Sequence, residues 1–387
     1  MAGAMLAAGF FFARRSGSDF TAYSNDFNVY YFAAREILSG RDPYQNRLGP
    51  WTPYLYPPVL AELIAPLALL PLPLAAYIWF IIGGTSILLA AHLASTLSRP
   101  LLPGGPPKHS TEESLAHPYY QAVVAIVALL VVGRFALDCF AMGQVNVIVA
   151  SLAVAHVYLY SRGRPRLAAI ALALGASIKL IPAILIIYHL AKGRIRFAIA
   201  TSLLLATLLA ASFLVFGRGA PAAFTTFRQE TIANGQGFDL GYSGNQSIRA
   251  AELRFADQPD EARRNPYDPD SLVISVVVLL GALFAAATRK VEIAAVAPIF
   301  CCMVVLSPLA WKAHFVALLL PAAYLAARAI ASPRSASRRF AGLAVAAAFV
   351  LFTLTSPTLV GARAAEWADR HSLVLLGALI IYLASFV

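Results

Sequence analysis

Asp26 lies in a polar stretch, Ser24-Asn25-Asp26-Phe27-Asn28-Val29-Tyr30-Tyr31, that continues through Gly40-Arg41-Asp42-Pro43-Tyr44 to Tyr56-Pro57-Pro58. Carboxylates, amides and tyrosines gathered in this way make either a solvated connector or one wall of an active site. In a site, a carboxylate can take a proton from a substrate hydroxyl. Comparable groups recur farther along. Arg134 and Asp138 stand close in sequence, and Gln144 and Asn146 sit in Gly143-Gln144-Val145-Asn146. Lys179 interrupts an apolar run as Ser177-Ile178-Lys179-Leu180-Ile181-Pro182, Asn245 and Gln246 are adjacent, and Trp311 precedes His314 by three residues.

Each of these has a structural alternative. Asn25-Asp26 before an apolar run is an N-cap signature, so Asp26 is either a cap or a base. Lys179 can snorkel, pair with a carboxylate or bind an anion. Gln144 and Asn146 can be interhelical hydrogen-bond partners or ligands. Trp311 can be an interfacial anchor, and His314 shares its helical face. Asn245-Gln246-Ser247 also matches the glycosylation sequon, whose value depends on the source organism.

What must position these groups is a membrane protein. Of the 387 residues 59% are hydrophobic and only 13% are charged, with a mean hydropathy of +0.71. Soluble domains carry about 25% charged residues. Apolar runs of helical length dominate, which excludes a β-barrel and makes the chain an all-α polytopic bundle of about 10–12 helices in one domain, 1–387. The net charge of +11 is not a nucleic-acid signature. Its sources are clusters between apolar runs, Arg162/Arg164/Arg166, Lys192/Arg194/Arg196, Arg289/Lys290 and Arg334/Arg338/Arg339, as the positive-inside rule requires of cytoplasmic loops. Cys139, Cys301 and Cys302 have neither metal-ligand spacing nor a disulfide framework, and no cofactor is expected.

Residues 1–13 are apolar but short of the ~20 residues of a span. Without a basic n-region or a clear cleavage site they read as an incomplete or tilted first helix rather than a signal peptide. Residues 14–56 then form an outer loop, in which 27–38 make an interfacial helix with Phe27, Tyr30, Tyr31 and Ala34 on one face. Gly40 closes that helix. Residues 58–70 are a short piece broken by Pro66. Spans are expected at 74–97, 119–137 and 144–160, the last two joined by an outer turn from Asp138 to Gly143. Residues 167–191 lie between two basic clusters that both belong inside, and carry a charge and a proline at the middle. They therefore fold as a hairpin of two short helices with Lys179 at the tip, an irregularity that membranes tolerate where backbone lines a cavity. A span at 197–216 leads to a second long outer loop at 217–269, and further spans follow at 271–288, 291–309, 312–330, 340–356 and 372–387. This topology brings Asp26, Asp42, Arg134, Asp138, Gln144, Asn146, Asn245, Gln246, Trp311 and His314 to the outer face. Such ionisable groups are costly in a membrane and mark functional cavities.

Six segments in order carry a resemblance: Asp26-Phe27-Asn28-Val29-Tyr30, Gly40-Arg41-Asp42-Pro43-Tyr44, Tyr56-Pro57-Pro58, Gly143-Gln144-Val145-Asn146, Lys179-Leu180-Ile181-Pro182 and Ser307-Pro308-Leu309-Ala310-Trp311-Lys312-Ala313-His314. Together they resemble glycosyltransferase family 87, membrane transferases of GT-C type that use polyprenyl-phosphate sugars. The resemblance implies a GT-C fold and inverting transfer of a sugar, mannose foremost, to a lipid-linked or glycan acceptor on the outer face of a bacterial plasma membrane. The family's first-outer-loop aspartate maps to Asp26 as general base. Lys179, His314 and Arg134 would stabilise the leaving lipid phosphate. Tyr30, Asp42, Tyr56, Gln144, Asn146, Asn245, Gln246 and Trp311 are the expected substrate contacts. Many members have two adjacent histidines where this chain has Ala313-His314, which puts a role needing both in doubt. A donor delivered within the bilayer suits a chain without a P-loop or dinucleotide fingerprint. A transporter or flippase of a lipid-linked sugar is the alternative, though no internal repeat of the inverted-transporter kind is present.

Overall fold

In the computed structural model the described residues are 9–11, 25–44, 54–102, 111–237, 239–256, 265, 268–331 and 335–387. The expected first helix at 1–13 falls largely outside them, as do 14–24 and 45–53 of the first long loop. Among the described residues every regular element is helical, and the sole β feature is one antiparallel bridge between Asn245 and Trp311. The chain is an all-α polytopic membrane protein. Among the described residues six helices are long and apolar enough to cross a membrane, seven if the bent pair Ala362–Arg370 and Leu373–Ala384 counts as one span.

The helix α1 (Asp26–Leu38) buries Phe27, Tyr30, Tyr31, Ala34 and Ile37, the i, i+3, i+4 spacing of one helical face. Gly40, with φ +71°, follows its C-cap. The short α2 (Pro58–Ala68) packs beside it and contains Pro66 without breaking. Two spans follow, α3 (Leu72–Leu97) and α4 (Thr111–Met142). The turn expected at 138–143 comes later, because Arg134 and Asp138 pair along one helical turn and keep it wound. Gly143, with φ +66°, ends it. The chain then runs back through α5 (Asn146–Ser161).

The hairpin takes shape in α6 (Pro165–Ile178), a bend through Lys179 and a 3₁₀ turn at Ile181–Ala183, and α7 (Ile184–Ala191). Pro165 and Arg166 at the foot of α6 share a cavity wall with Gly193, Arg194 and Arg196 beyond α7, so both basic clusters lie at one end of the molecule. The spans α8 (Ile195–Phe213) and α11 (Pro269–Thr288) are apolar on every side. Ile199, Leu203, Leu272, Val273, Val277 and Phe284 are exposed, the surface a bilayer covers. Between these spans the interval 217–269 is not an open loop: it holds α9 (Ala220–Gly237) and α10 (Ile248–Phe255), the latter capped by Ser247 Oγ on Ala250 N–H.

The core is centred on α12 (Glu292–Val305), buried at every position from Ile293 to Val305. Around it lie α13 (Leu319–Ala331), α14 (Ala336–Thr353) and α16 (Leu373–Ala384). A 3₁₀ turn at Lys312–Leu318 leads into α13, and α15 (Ala362–Arg370) precedes α16. At the basic end the last carbonyls of α16 are closed by arginines. The Arg289 guanidinium donates to Ser385 and Phe386 O, and Arg328 reaches Ala384 O at 3.5 Å. Lys192 Nζ donates to Arg289 O at 2.8 Å, and Arg194 forms a two-armed ion pair with Glu292 at 2.6 and 2.7 Å. A second, smaller apolar cluster joins α1, α2 and the start of α3 to Val145, Val149 and Ile178. It seats the first loop against the hairpin tip.

Candidate active site

The aromatic face of α1 fixes where Asp26 stands. Phe27 stacks on Trp79 with ring centroids 5.5 Å apart, and Tyr30 meets the same indole edge-on at 6.1 Å. Trp79 Nε1–H donates to Gly143 O at 2.9 Å, so one buried indole ties α1 to the turn between α4 and α5. The helix is capped by Asn25, whose Oδ1 accepts from Phe27 N–H at 3.0 Å. Asp26 is therefore not the cap. It occupies the first turn, with its carboxylate toward Gln144 and Lys179.

From Asp26 a continuous network leads inward. The Gln144 amide hydrogen-bonds the carboxylate, and Gln144 Oε1 accepts from Asn146 Nδ2 at 2.7 Å. Asn146 Oδ1 accepts from Lys179 Nζ at 2.8 Å. On its other side Lys179 Nζ lies 2.6 Å from His314 Nε2. An ammonium has only donors, so His314 accepts there and is neutral, with its proton on Nδ1. Tyr56 places its ring 5.9 Å from Lys179 Nζ, and Tyr30 donates to Tyr56 Oη at 3.1 Å. The first loop, the turn at 143–146, the hairpin tip and the 311–314 segment thus meet at a single point. Burial pushes the Asp26 carboxyl up to about 6; the Lys179 cation and the Gln144 hydrogen bond oppose that rise. A carboxyl held near neutrality, beside a fixed cation, is suited to taking a proton at physiological pH.

The other expected site residues sit around this network rather than in it. Asp42 Oδ1 accepts from Tyr44 N–H at 2.9 Å, and Tyr44 Oη donates to Tyr56 O at 2.9 Å, so Asp42 supports the Tyr56 backbone. Asn245 is a brace. Its Nδ2 donates to Leu240 O and Pro308 O, and its Oδ1 accepts from Ala310 N–H at 2.9 Å, which holds the segment leading to Trp311 and His314. Gln246 Nε2 donates to Asp369 O at 2.8 Å, and Trp311 packs on Tyr242. Arg134 pairs with Asp138 and donates to Thr355 O at 3.4 Å. Its charge also acts on Asp369, which Lys312 Nζ meets at 2.7 Å. A second polar cluster, around Lys312 and Asp369, therefore lies beside the first, with 311–314 between them.

Reading the residues in sequence missed Trp79, Tyr54, Lys312 and Asp369. Tyr54 donates to Pro57 O and accepts from Ala61 N–H, which fixes the start of α2 below Tyr56. Trp79 lay within a uniformly apolar span, where only the need of a buried indole N–H for an acceptor gives a clue. Lys312, a cation at the entry of an apolar segment, called for a carboxylate, and Asp369 supplies it.

A model of glycosyltransferase family 87 matches residues 54–310. That range contains Tyr56, Arg134, Gln144, Asn146, Lys179, Asn245 and Gln246; Asp26 precedes it and Trp311 and His314 follow it. A polyprenol-phosphate-mannose-dependent alpha-(1-2)-phosphatidylinositol mannoside mannosyltransferase of Mycobacterium tuberculosis is 30% identical over 198 residues, 49% of this chain. The match spans 45% of that protein's length. With more than half of its residues inside the family model, this chain belongs to glycosyltransferase family 87.

Proposed function

We propose that the protein transfers a sugar, with mannose the first candidate, from a polyprenyl-phosphate donor to a glycolipid or glycan acceptor, with inversion at the anomeric carbon. The reading rests on one bonded chain, Asp26–Gln144–Asn146–Lys179–His314, that sets a half-buried carboxylate and a cation in the same polar enclosure. The Asp26 carboxylate takes the proton of the acceptor hydroxyl, and the freed oxygen attacks the anomeric carbon opposite the phosphate. The bond from that carbon to the phosphate oxygen breaks, its electron pair leaves with polyprenyl phosphate, and Lys179 faces the charge that develops there. His314 and Asn146 hold Lys179 in place without neutralising it. A leaving phosphate already anionic needs no general acid. Asp26 returns its proton to solvent. The basic clusters gathered at the opposite end favour a cytoplasmic position there, and hence reaction at the outer face.

The test is transfer from radiolabelled polyprenyl-phosphate mannose by the purified full chain, wild type against Asp26→Asn. The amide keeps the side-chain shape but accepts no proton, so transfer should fall about 10²–10⁴-fold with donor binding retained. A loss below tenfold in a folded Asp26→Asn protein would overturn the base assignment.

A further inference from the structure

Two turns at the basic end repeat one another. Gly163-Arg164-Pro165-Arg166 and Gly193-Arg194-Ile195-Arg196 share a Gly-Arg-Xaa-Arg pattern, and both glycines have φ +70°. Each turn closes the helix before it in the same way. Gly163 N–H donates to Tyr160 O and Arg164 N–H to Leu159 O; Gly193 N–H donates to Leu190 O and Arg194 N–H to His189 O. Each then opens a helix, α6 or α8, with no side-chain cap and no acid in its first turn. Two helix N-termini, positive by their dipoles, therefore stand near one another, and the carboxylate beside them, Glu292, is already taken up by Arg194.

Between them is a cavity of about 940 Å³. Arg166, Arg194 and Arg196 form its polar margin, and Ile170, Ala200 and Leu204 form an apolar wall. Arg194 is held by Glu292. Among the described residues no carboxylate pairs with Arg166 or Arg196, and both are exposed. Ile170, Ile195 and Ile199 are exposed beside the cavity, which places it on the lipid-covered flank. Lys179 and its partners lie at the other end of α6, so this cavity is separate from the candidate active site.

We propose that the cavity binds an anionic phospholipid, with its phosphate between Arg166 and Arg196 at the two helix N-termini and one acyl chain along Ile170, Ala200 and Leu204. The charge selects a phosphate, and arginine forks suit its oxygens. The apolar wall selects a lipid over a free phosphate compound. Basic pockets between membrane helices on the cytoplasmic side have this chemistry in general.

The experiment is native mass spectrometry of the full chain in detergent, titrated with phosphatidylglycerol or with phosphatidylcholine of the same acyl chains. Phosphatidylglycerol should bind at least tenfold more tightly. The double variant Arg166→Gln/Arg196→Gln should lose that preference, while Arg339→Gln, at an exposed arginine outside the cavity, should keep it. Both cavity arginines are exposed, so the double variant should unfold at the wild-type temperature. Should it not, Ile170→Trp, which fills the apolar wall and leaves the charges, must weaken phosphatidylglycerol binding instead. Equal binding of the two lipids, or wild-type binding by the folded double variant, overturns the proposal. So does displacement of the lipid by glycerol 3-phosphate at the same concentration, which would make the cavity a free-phosphate site.

Discussion

At Asp26 the helix is capped by its neighbour, and that division of labour has consequences. Asn25 satisfies the Phe27 N–H in the first turn, so the Asp26 carboxylate is spared for another task. Since burial raises its pKa to about 6, a base at this position loses activity in acid. The transfer rate under kcat/KM conditions should rise with pH through about 6 and level off above, and Asp26→Asn should abolish that limb along with the rate. Stability should move the other way. The shift is upward from 3.8, so the fold favours the protonated form; the contribution of this group is full below about pH 4 and is lost as pH rises through about 6. Thermal unfolding of wild type and Asp26→Asn across that window checks the sign. Lys179→Ala should weaken binding of the lipid-phosphate donor at least tenfold, as read by donor titration. Lys179→Arg should not restore it, because a planar fork replaces a point charge fitted between Asn146 and His314. Much of this enclosure was legible in sequence: Asp26, Gln144, Asn146, Lys179 and His314 stood out as polar groups in an apolar chain. Asn25 and Asp26 were not separable as cap and base, because both residue types cap and only the observed bond decides.

Among the elements, the hairpin at 165–191 was legible because two basic clusters flanked a charge and a proline. Cysteines placed at Arg162 and Arg196 should label with an impermeant reagent from the same side of a sealed vesicle; labelling from opposite sides would exclude the hairpin. The turn before α5 was placed too early in sequence, from Asp138, whereas the helix runs on to Met142 with Asp138 paired to Arg134. Helices α9 and α10 escaped notice for a related reason. Their polar composition reads as loop, and what winds α10 is the Ser247 cap and its packing, which a hydropathy pattern does not carry. Packing also makes one glycine critical. A Cβ on Gly377 of α16 would stand 2.5 Å from Phe352 Cε1 on α14. Gly377→Ala should therefore destabilise the protein by about 1–3 kcal/mol, measured as a lowered unfolding temperature in detergent, and Phe352→Leu on that background should recover part of the loss.

Taken whole, the molecule is polar at two ends and apolar between them. At one end arginines close the last carbonyls of α16, join Lys192 to the Arg289 carbonyl and pair Arg194 with Glu292; at the other lies the Asp26–His314 network. Helices α5 and α6 both run between them, and α5 measures the distance. Its first residue, Asn146, binds Lys179, and Tyr160 near its last turn lies under the Arg194 guanidinium at 4.3 Å. From Asn146 to Tyr160 the rise is about 21 Å at 1.5 Å per residue, whereas the hydrocarbon of a bilayer is about 30 Å thick. With the arginines at one headgroup level, the Lys179 ammonium falls about 9 Å short of the other. The reaction would then take place at the floor of a well sunk into the leaflet, or under a bilayer pinched to meet it. Either way the thickness of the surrounding lipid becomes a variable of the enzyme: turnover in vesicles should decline as acyl chains lengthen from 14 to about 22 carbons, because mismatch is costly, while donor binding measured in detergent stays unchanged.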